Sequence, residues 1–260
     1  MPLGSALCPW RSNHHRGAAN VAIRGILFDK DGTLIDYART WVPINRRAAA
    51  FAAGGDAALA ADLLRLNGQD PETGDITPGS VLAAGSIAEI AAAFAARLGP
   101  RTPPDLEGDL DRIYSAGGAE YAALIEGVAD TLRELKRQGI RIGVATNDSL
   151  GGLDASLRRC GILDLFDFVA ACDSGFGSKP DPRMVFAFCE AVGVAIQETA
   201  VVGDALHDLA MGRAAGAGLI VGVTCGTSPR EDLVPFADVI LERIDGLLSL
   251  HALSAKSATR

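Results

Sequence analysis

The sequence predicts an α/β protein: a doubly wound parallel sheet with an α-helical domain inserted after its first strand. Three observations lead there. After Glu126, short apolar runs alternate with amphipathic stretches that mostly end at a glycine, the pattern of parallel βα units. Residues 38–122 are instead rich in Ala, Leu, Arg and Glu and poor in β-branched residues, which favours helix. Ahead of both, the isolated apolar run Ile23–Phe28 stops at acidic and glycine residues and reads as a buried strand.

Taken in order, residues 1–20 are expected to form a disordered extension, because Gly, Ser, His and Arg dominate without an apolar pattern. Residues 21–37 and 124–245 are expected to form the core, 38–123 the helical insert and 246–260 a C-terminal tail. Within the insert, helix is expected over Ala48–Ala53, Ala57–Leu66, Val81–Leu98 and Leu110–Leu124, with loops at Asn67–Thr73 and Gly99–Pro104. Apolar residues at 87, 90, 91, 94, 95 and 98 form one helical stripe. In the core, helices are expected over Val128–Gln138, Ser149–Cys160, Pro182–Val192 and His207–Ala215. They alternate with strands at Ile140–Ala145, Phe168–Ala171, Thr199–Val202, Leu219–Val223 and Val239–Leu241. Gly212, Gly216 and Gly218 read as tight helix–sheet packing, since no Gly-x-Gly-x-x-Gly follows a strand.

Composition narrows the function. At 260 residues the chain can bury a core without disulfide or metal staples. Its 24 Lys+Arg against 32 Asp+Glu give a net charge of −8, which argues against a nucleic-acid or anionic-membrane partner. Anionic small substrates stay open, because a metal and backbone amides can hold them. No apolar run is long enough to span a membrane, and the first twenty residues lack the apolar stretch of a secretory signal. Five cysteines (8, 160, 172, 189 and 225) form no CxxC pair, and their odd number prevents a full disulfide framework. A reducing cytoplasm is the expected location. The sequence does not indicate an oligomeric state.

In open parallel sheets, ligands bind beyond the C-terminal ends of the strands. The first strand is followed by Asp29-Lys30-Asp31-Gly32-Thr33 and the second by Thr146-Asn147-Asp148. Asp173 and then Lys179-Pro180 follow the third; Gly203-Asp204 and, four residues on, Asp208 follow the fourth. Singly, each has a plain structural reading. The Asp-x-Asp-Gly-Thr run can be a turn, Thr146 a helix cap and Lys179 a solvated lysine; Asp204 and Asp208 can be first-turn and surface acids, and Asp148 and Asp173 caps. Together, several acids and one lysine at one edge need a cation or protons to balance them. A lysine at a helix start also implies an anion nearby. There is no Walker motif, zinc spacing or Ser–His–Asp signature.

These four elements resemble the motifs of the haloacid dehalogenase-like phosphohydrolases. Asp29–Thr33 matches the first motif, Thr146 the second, Lys179 the third and Gly203–Asp208 the fourth, over roughly residues 21–245. The first motif and the stretch Asp208–Gly218 are most similar to the phosphoglycolate phosphatase branch. The resemblance implies a Rossmann-like core with a helical cap, and an Mg²⁺-dependent phosphatase acting on a small phosphate monoester, with phosphoglycolate among the candidates. It implies Asp29 as nucleophile and Asp31 as general acid and base. Metal would be held by Asp29, Asp204 and the backbone carbonyl of Asp31, with Asp208 orienting a metal water or Lys179. Thr146, Asn147 and Lys179 would hold the phosphoryl oxygens.

An acid at position 31 points away from carbon–halogen cleavage and ion pumping. A phosphomutase on the same scaffold is the first alternative. A phospho-acceptor switch is the second, opposed by the large insert and by the fourth motif; a silent interaction protein is the third. Candidate specificity residues past the hinge are Tyr37, Arg39, Trp41, Arg46 and Arg47, the arginines as readers of a carboxylate or second phosphate. Arg46 and Arg47 also suit a solvated helix face. His207 reads as a helix-surface histidine near the site. Glu126 stands where relatives commonly carry proline, which leaves that hinge less rigid.

Overall fold

Alternating side chains along five-residue buried runs make the centre of this protein a sheet covered on both faces. The computed structural model describes residues 22–250 and Leu253. The extension expected over residues 1–20 lies outside the described residues, as do residues 251–252 and 254–260. Six strands, β1 (Gly25–Asp29), β2 (Arg141–Ala145), β3 (Phe168–Ala170), β4 (Thr199–Gly203), β5 (Leu219–Val223) and β6 (Val239–Leu241), pair in parallel in the order β3-β2-β1-β4-β5-β6. This bears out the doubly wound α/β reading.

The strand period of two sorts the core. Ile26 and Phe28 of β1, with Ala200 and Val202 of β4, join the cluster under α6 (Val128–Arg137) and α7 (Leu150–Arg159). Leu27 and Val201 join the opposite cluster, under α8 (Arg183–Val192) and α9 (Leu206–Ala215). Gly212 of α9 shows the packing expected of it: a Cβ there would lie 2.5 Å from Ile220 Cδ1. Residues 246–250, read as a tail, begin against the core: Leu247 is buried in the cluster that holds α6, and Leu253 joins it. Residues Arg230–Leu233 form a short helix, α10, that carried no sequence signal.

The insert comprises α1 (Tyr37–Ala52), α2 (Ala57–Leu66), α3 (Val81–Ala84), α4 (Ile87–Leu98) and α5 (Leu106–Tyr121), and has its own apolar cluster around Ile44, Leu63, Phe94 and Leu110. The single helix expected over Val81–Leu98 is two. Ser86 starts a new one, its hydroxyl accepting from the Glu89 amide while Glu89 accepts from the Ser86 amide. The two chain crossings between insert and core run side by side: the Asp36 amide donates to Ala123 O at 2.9 Å and the Ile125 amide to Leu34 O at 3.0 Å. Among the described residues no helix is long and apolar enough to cross a membrane.

Candidate active site

The chain leaves β1 to one side of the sheet and returns beside it as β4, so a crevice opens between the ends of these two strands. Asp29 closes β1, and Asp204 directly follows β4. Both line a cleft, partly open to solvent, with Asp31, Thr146, Asn147 and Thr227. The insert supplies its far wall.

The acids fall into two clusters, each bridged by a buried lysine. In the first, Lys179 Nζ donates to Asp29 Oδ1 at 2.5 Å and to Asp208 Oδ1 at 2.7 Å. The other Asp208 oxygen accepts the Ala205 amide at 3.0 Å. Asp204 Oδ2 accepts the Thr227 amide at 2.7 Å and its hydroxyl at 3.2 Å; Oδ1 accepts from Thr33 Oγ1 at 3.4 Å. Burial, reinforced by Asp208, raises the Asp29 carboxyl to about 6 despite Lys179. Burial and then the neighbouring acids raise Asp204 well above the carboxylate range. Burial would raise Asp208 too, but His207 and Lys179 outweigh it and hold it low. Desolvation would lower the Lys179 ammonium, yet Asp208 and Asp29 keep it above its ordinary value.

In the second cluster, Lys30 Nζ donates to Asp148 Oδ2 at 2.7 Å and lies 3.0 Å from Asp31 Oδ2. Its ammonium also sits 4.8 Å from the Trp41 ring centroid. Trp41 Nε1 donates to Asp31 Oδ1 at 2.6 Å, a bond from the insert to the core. Burial raises both Asp31 and Asp148 against the pull of Lys30.

The two clusters differ in what would neutralise them. Carboxylate oxygens of Asp29, Asp204 and Asp208 lie within 4.8 Å of one another, and with Lys179 as their cation two negative charges are left over. Asp29 Oδ2 is buried without a hydrogen-bond partner among the described residues. Glycines leave room around Asp204: Gly32 has φ +88°, and a Cβ there would meet Asp204 Oδ2 at 2.5 Å, while one on Gly226 would meet it at 2.0 Å. Hard oxygen donors, an orphaned carboxylate oxygen and two excess negative charges fit a divalent cation. Asp31, Asp148 and Lys30 leave one negative charge, which a single proton balances. A metal thus suits the first cluster, and a transferable proton the second.

The family model of the haloacid dehalogenase-like hydrolases matches residues 23–216, which span both clusters and all four strand ends. The chain belongs to this family. Within it, the chain is similar to a phosphoglycolate phosphatase of Shigella boydii, 30% identical over 241 residues that cover 87% of this chain and 91% of the relative. It is also similar to an N-acetylmuramic acid 6-phosphate phosphatase of Pseudomonas putida, 28% identical over 75% of this chain and 80% of the relative. Its fold matches the crystal structure of a predicted phosphoglycolate phosphatase from Haemophilus somnus, with TM-score 0.67 and 22% identity over 90% of this chain and 99% of that one. Phosphatases recur among these relatives, so this haloacid dehalogenase-like protein is a phosphoric monoester hydrolase.

The remaining expected residues divide sharply. Thr146 is buried in the cleft wall, its Oγ1 accepting the Asp148 amide at 3.1 Å; it does not cap α7, because Ser149 does. Asn147 ties the halves together, accepting the Lys179 amide at 2.8 Å and donating to Ala84 O of the insert at 3.2 Å. Asp173 accepts the Leu150 amide at 2.9 Å and serves the first turn of α7.

The structure does not bring Arg46 and Arg47, expected as specificity residues, to the cleft. Arg46 is exposed and donates to Pro71 O and Glu72 O; Arg47 is exposed and pairs with Glu120 at 3.4 Å. Neither lines the cleft, nor does exposed Arg39. Helical geometry is the reason: Tyr37, Trp41 and Asn45, four residues apart, share the face of α1 that meets the cleft, and Arg46 and Arg47 are turned off it.

Lys30 and Thr227 are among the groups that were missed. Lys30 is fully buried, and its place between Asp29 and Asp31 on an alternating strand end was a signal that it faces a different layer from Asp29. Thr227 follows β5, whose end carried no expected site residue although the strand-end rule covers it too.

Proposed function

We propose that this hydrolase is an Mg²⁺-dependent phosphatase that cleaves small phosphate monoesters through an aspartyl-phosphate on Asp29. The observation that carries this reading is the state of Asp29: one carboxylate oxygen is fixed by Lys179 and the other is buried without a partner at the cleft floor. Asp29 and Asp204, with the Asp31 carbonyl, would hold the metal. When bound, Mg²⁺ offsets the charge between the carboxylates and the phosphoryl oxygens.

In the first step the Asp29 carboxylate attacks phosphorus, and the bond from phosphorus to the alcohol oxygen breaks. Asp31 gives its proton to that oxygen, a role suited by the raised carboxyl. In the second step the ionised Asp31 takes a proton from water, the water oxygen attacks phosphorus, and Asp29 leaves as carboxylate with inorganic phosphate. Lys179 holds Asp29 in position and lessens repulsion of the incoming dianion. Thr146 and Asn147 line the cleft where the phosphoryl oxygens would sit. Asp208 positions Lys179 rather than the phosphate, since both its oxygens are engaged.

The test is phosphate release from a panel of phosphomonoesters, with Mg²⁺ and with a chelator, for the wild type and Asp29→Asn. The reading expects metal-dependent release that Asp29→Asn abolishes. Release that is independent of metal or of Asp29 would overturn it.

A further inference from the structure

Resting on the phosphatase reading, the far wall of the cleft narrows the substrate. That wall is built from Tyr37, Trp41, Tyr114, Leu82, Ile87 and Ile90. Trp41 and Tyr114 stack with ring centroids 5.6 Å apart and an interplanar angle of 29°. The polar atoms among these groups are already engaged. Tyr37 Oη donates to Leu82 O, Trp41 Nε1 to Asp31, and Tyr114 Oη to Asn45 Oδ1 at 2.7 Å. Asn45, the neutral polar side chain of this wall, donates through Nδ2 to Gln69 at 2.9 Å. The Ala84 carbonyl accepts from Asn147 at 3.2 Å.

No lysine or arginine among the described residues lines the cleft. Lys30 and Lys179 have no exposed side-chain surface, and each is held between two carboxylates. His207 lines the cleft, but its Nε2 is 3.4 Å from Asp208 Oδ1, so a charge there would be met by that acid. The other charged lining groups, Asp29, Asp31, Asp148 and Asp204, are all acids. A carboxylate on the substrate's alcohol half would therefore lose water without gaining a cation, next to groups that repel it.

We infer that the preferred substrates are phosphate monoesters of uncharged alcohols that present an aliphatic or ring face to the Trp41–Tyr114 wall, a neutral hexose ring among them. Esters whose alcohol half bears a carboxylate, as phosphoglycolate does, are disfavoured. Trp41 and Tyr114 are 5% and 4% exposed, so a sugar ring would set a C–H face against the small part of each that faces the cleft while its hydroxyls stay toward the open side.

Two matched pairs test this with Mg²⁺ present: N-acetylglucosamine 6-phosphate against N-acetylmuramic acid 6-phosphate, and 2-hydroxyethyl phosphate against phosphoglycolate. In the second pair the carboxylate is the main difference; in the first it arrives on a lactyl ether at O3, so the second pair isolates charge and the first adds bulk. The expected result is kcat/KM higher by about tenfold or more for the neutral member of both pairs, chiefly through KM. Equal or higher kcat/KM for the carboxylate members would overturn the substrate class and leave the phosphatase reading standing. Hydrolysis of none of the four while other phosphomonoesters are cleaved would also overturn the substrate class alone, and release from no ester at all would overturn both. Ala83→Arg adds a cation at a half-buried lining position and should narrow the preference in both pairs. A wild-type preference that this variant leaves unchanged would contradict the assignment to the uncharged wall.

Discussion

The edge of the sheet and the insert meet across one cleft but are built by opposite rules. The sheet edge concentrates charge: six titratable side chains, Asp29, Lys30, Asp31, Asp148, Lys179 and Asp208, joined by ion pairs of 2.5–3.0 Å. The insert presents stacked aromatics and aliphatics whose polar atoms are already bonded. Only a few hydrogen bonds join the two at the cleft, chiefly Trp41 to Asp31 and Asn147 to Ala84. On the proposed reading the difference is a division of labour: chemistry that any phosphate ester needs would sit on rigid strand ends, and selection among esters would fall to a surface that packs rather than pairs.

The largest effect expected on the charged side is from Asp29→Asn. Turnover should vanish in steady-state assays while circular dichroism stays native, because the amide is no nucleophile but fills the same space. Retained turnover would break the comparison at its base. Asp31→Ala should lower kcat for unactivated alkyl esters by about 10² to 10⁴. An unchanged rate would remove Asp31 from proton transfer.

Metal and pH act on the same side. Burial and Asp208 raise the Asp29 carboxyl from 3.8 to about 6 in the metal-free chain. Between those values the native state holds a proton that the unfolded state has released, so this group's contribution to stability falls as pH rises. On the proposed reading Mg²⁺ would bind the ionised form, and its stabilisation should therefore be larger at about pH 7.5 than at about pH 5. Thermal denaturation with Mg²⁺ and with a chelator at both pH values reads this directly; equal shifts would contradict it.

Trp41 lies where the two regions join. Trp41→Phe keeps an aromatic wall but removes the hydrogen bond to Asp31. It should lower kcat by about tenfold, with little change in KM for small esters. An effect confined to KM would make Trp41 a packing residue alone. The smallest effect is expected from Arg46→Ala and Arg47→Ala, which should keep kcat/KM within about twofold on every ester, since surface pairs contribute little. A large loss on one substrate would put charge recognition back into the insert.

The same contrast explains what could be read from the sequence. The sheet was legible because each strand is a short apolar run, and the site because the strand-end rule converts position into proximity: Asp29, Thr146, Lys179 and Asp204 lie far apart in sequence, yet meet at one edge. The insert was legible as helix but not as a surface. Which face of α1 meets the cleft is set by packing against α5 and the core, so Tyr37 and Trp41 could be named while Asn45 and Tyr114 were missed and two arginines expected there lie off the cleft. Lys30 was overlooked because a lysine between two aspartates looks solvated until its partners, Asp148 and Ser156, are brought under it by the fold.

The most direct test of the nucleophile uses an aryl ester, p-nitrophenyl phosphate, with the Asp31→Ala variant and Mg²⁺. Nitrophenolate leaves without a proton donor, so the first step survives, whereas the attacking water has lost its base. The account predicts a burst of about one nitrophenolate per active site, with a phosphoryl group on Asp29 in peptide mass spectra of the quenched protein. Steady release without a burst, and with Asp29 unmodified, would contradict it.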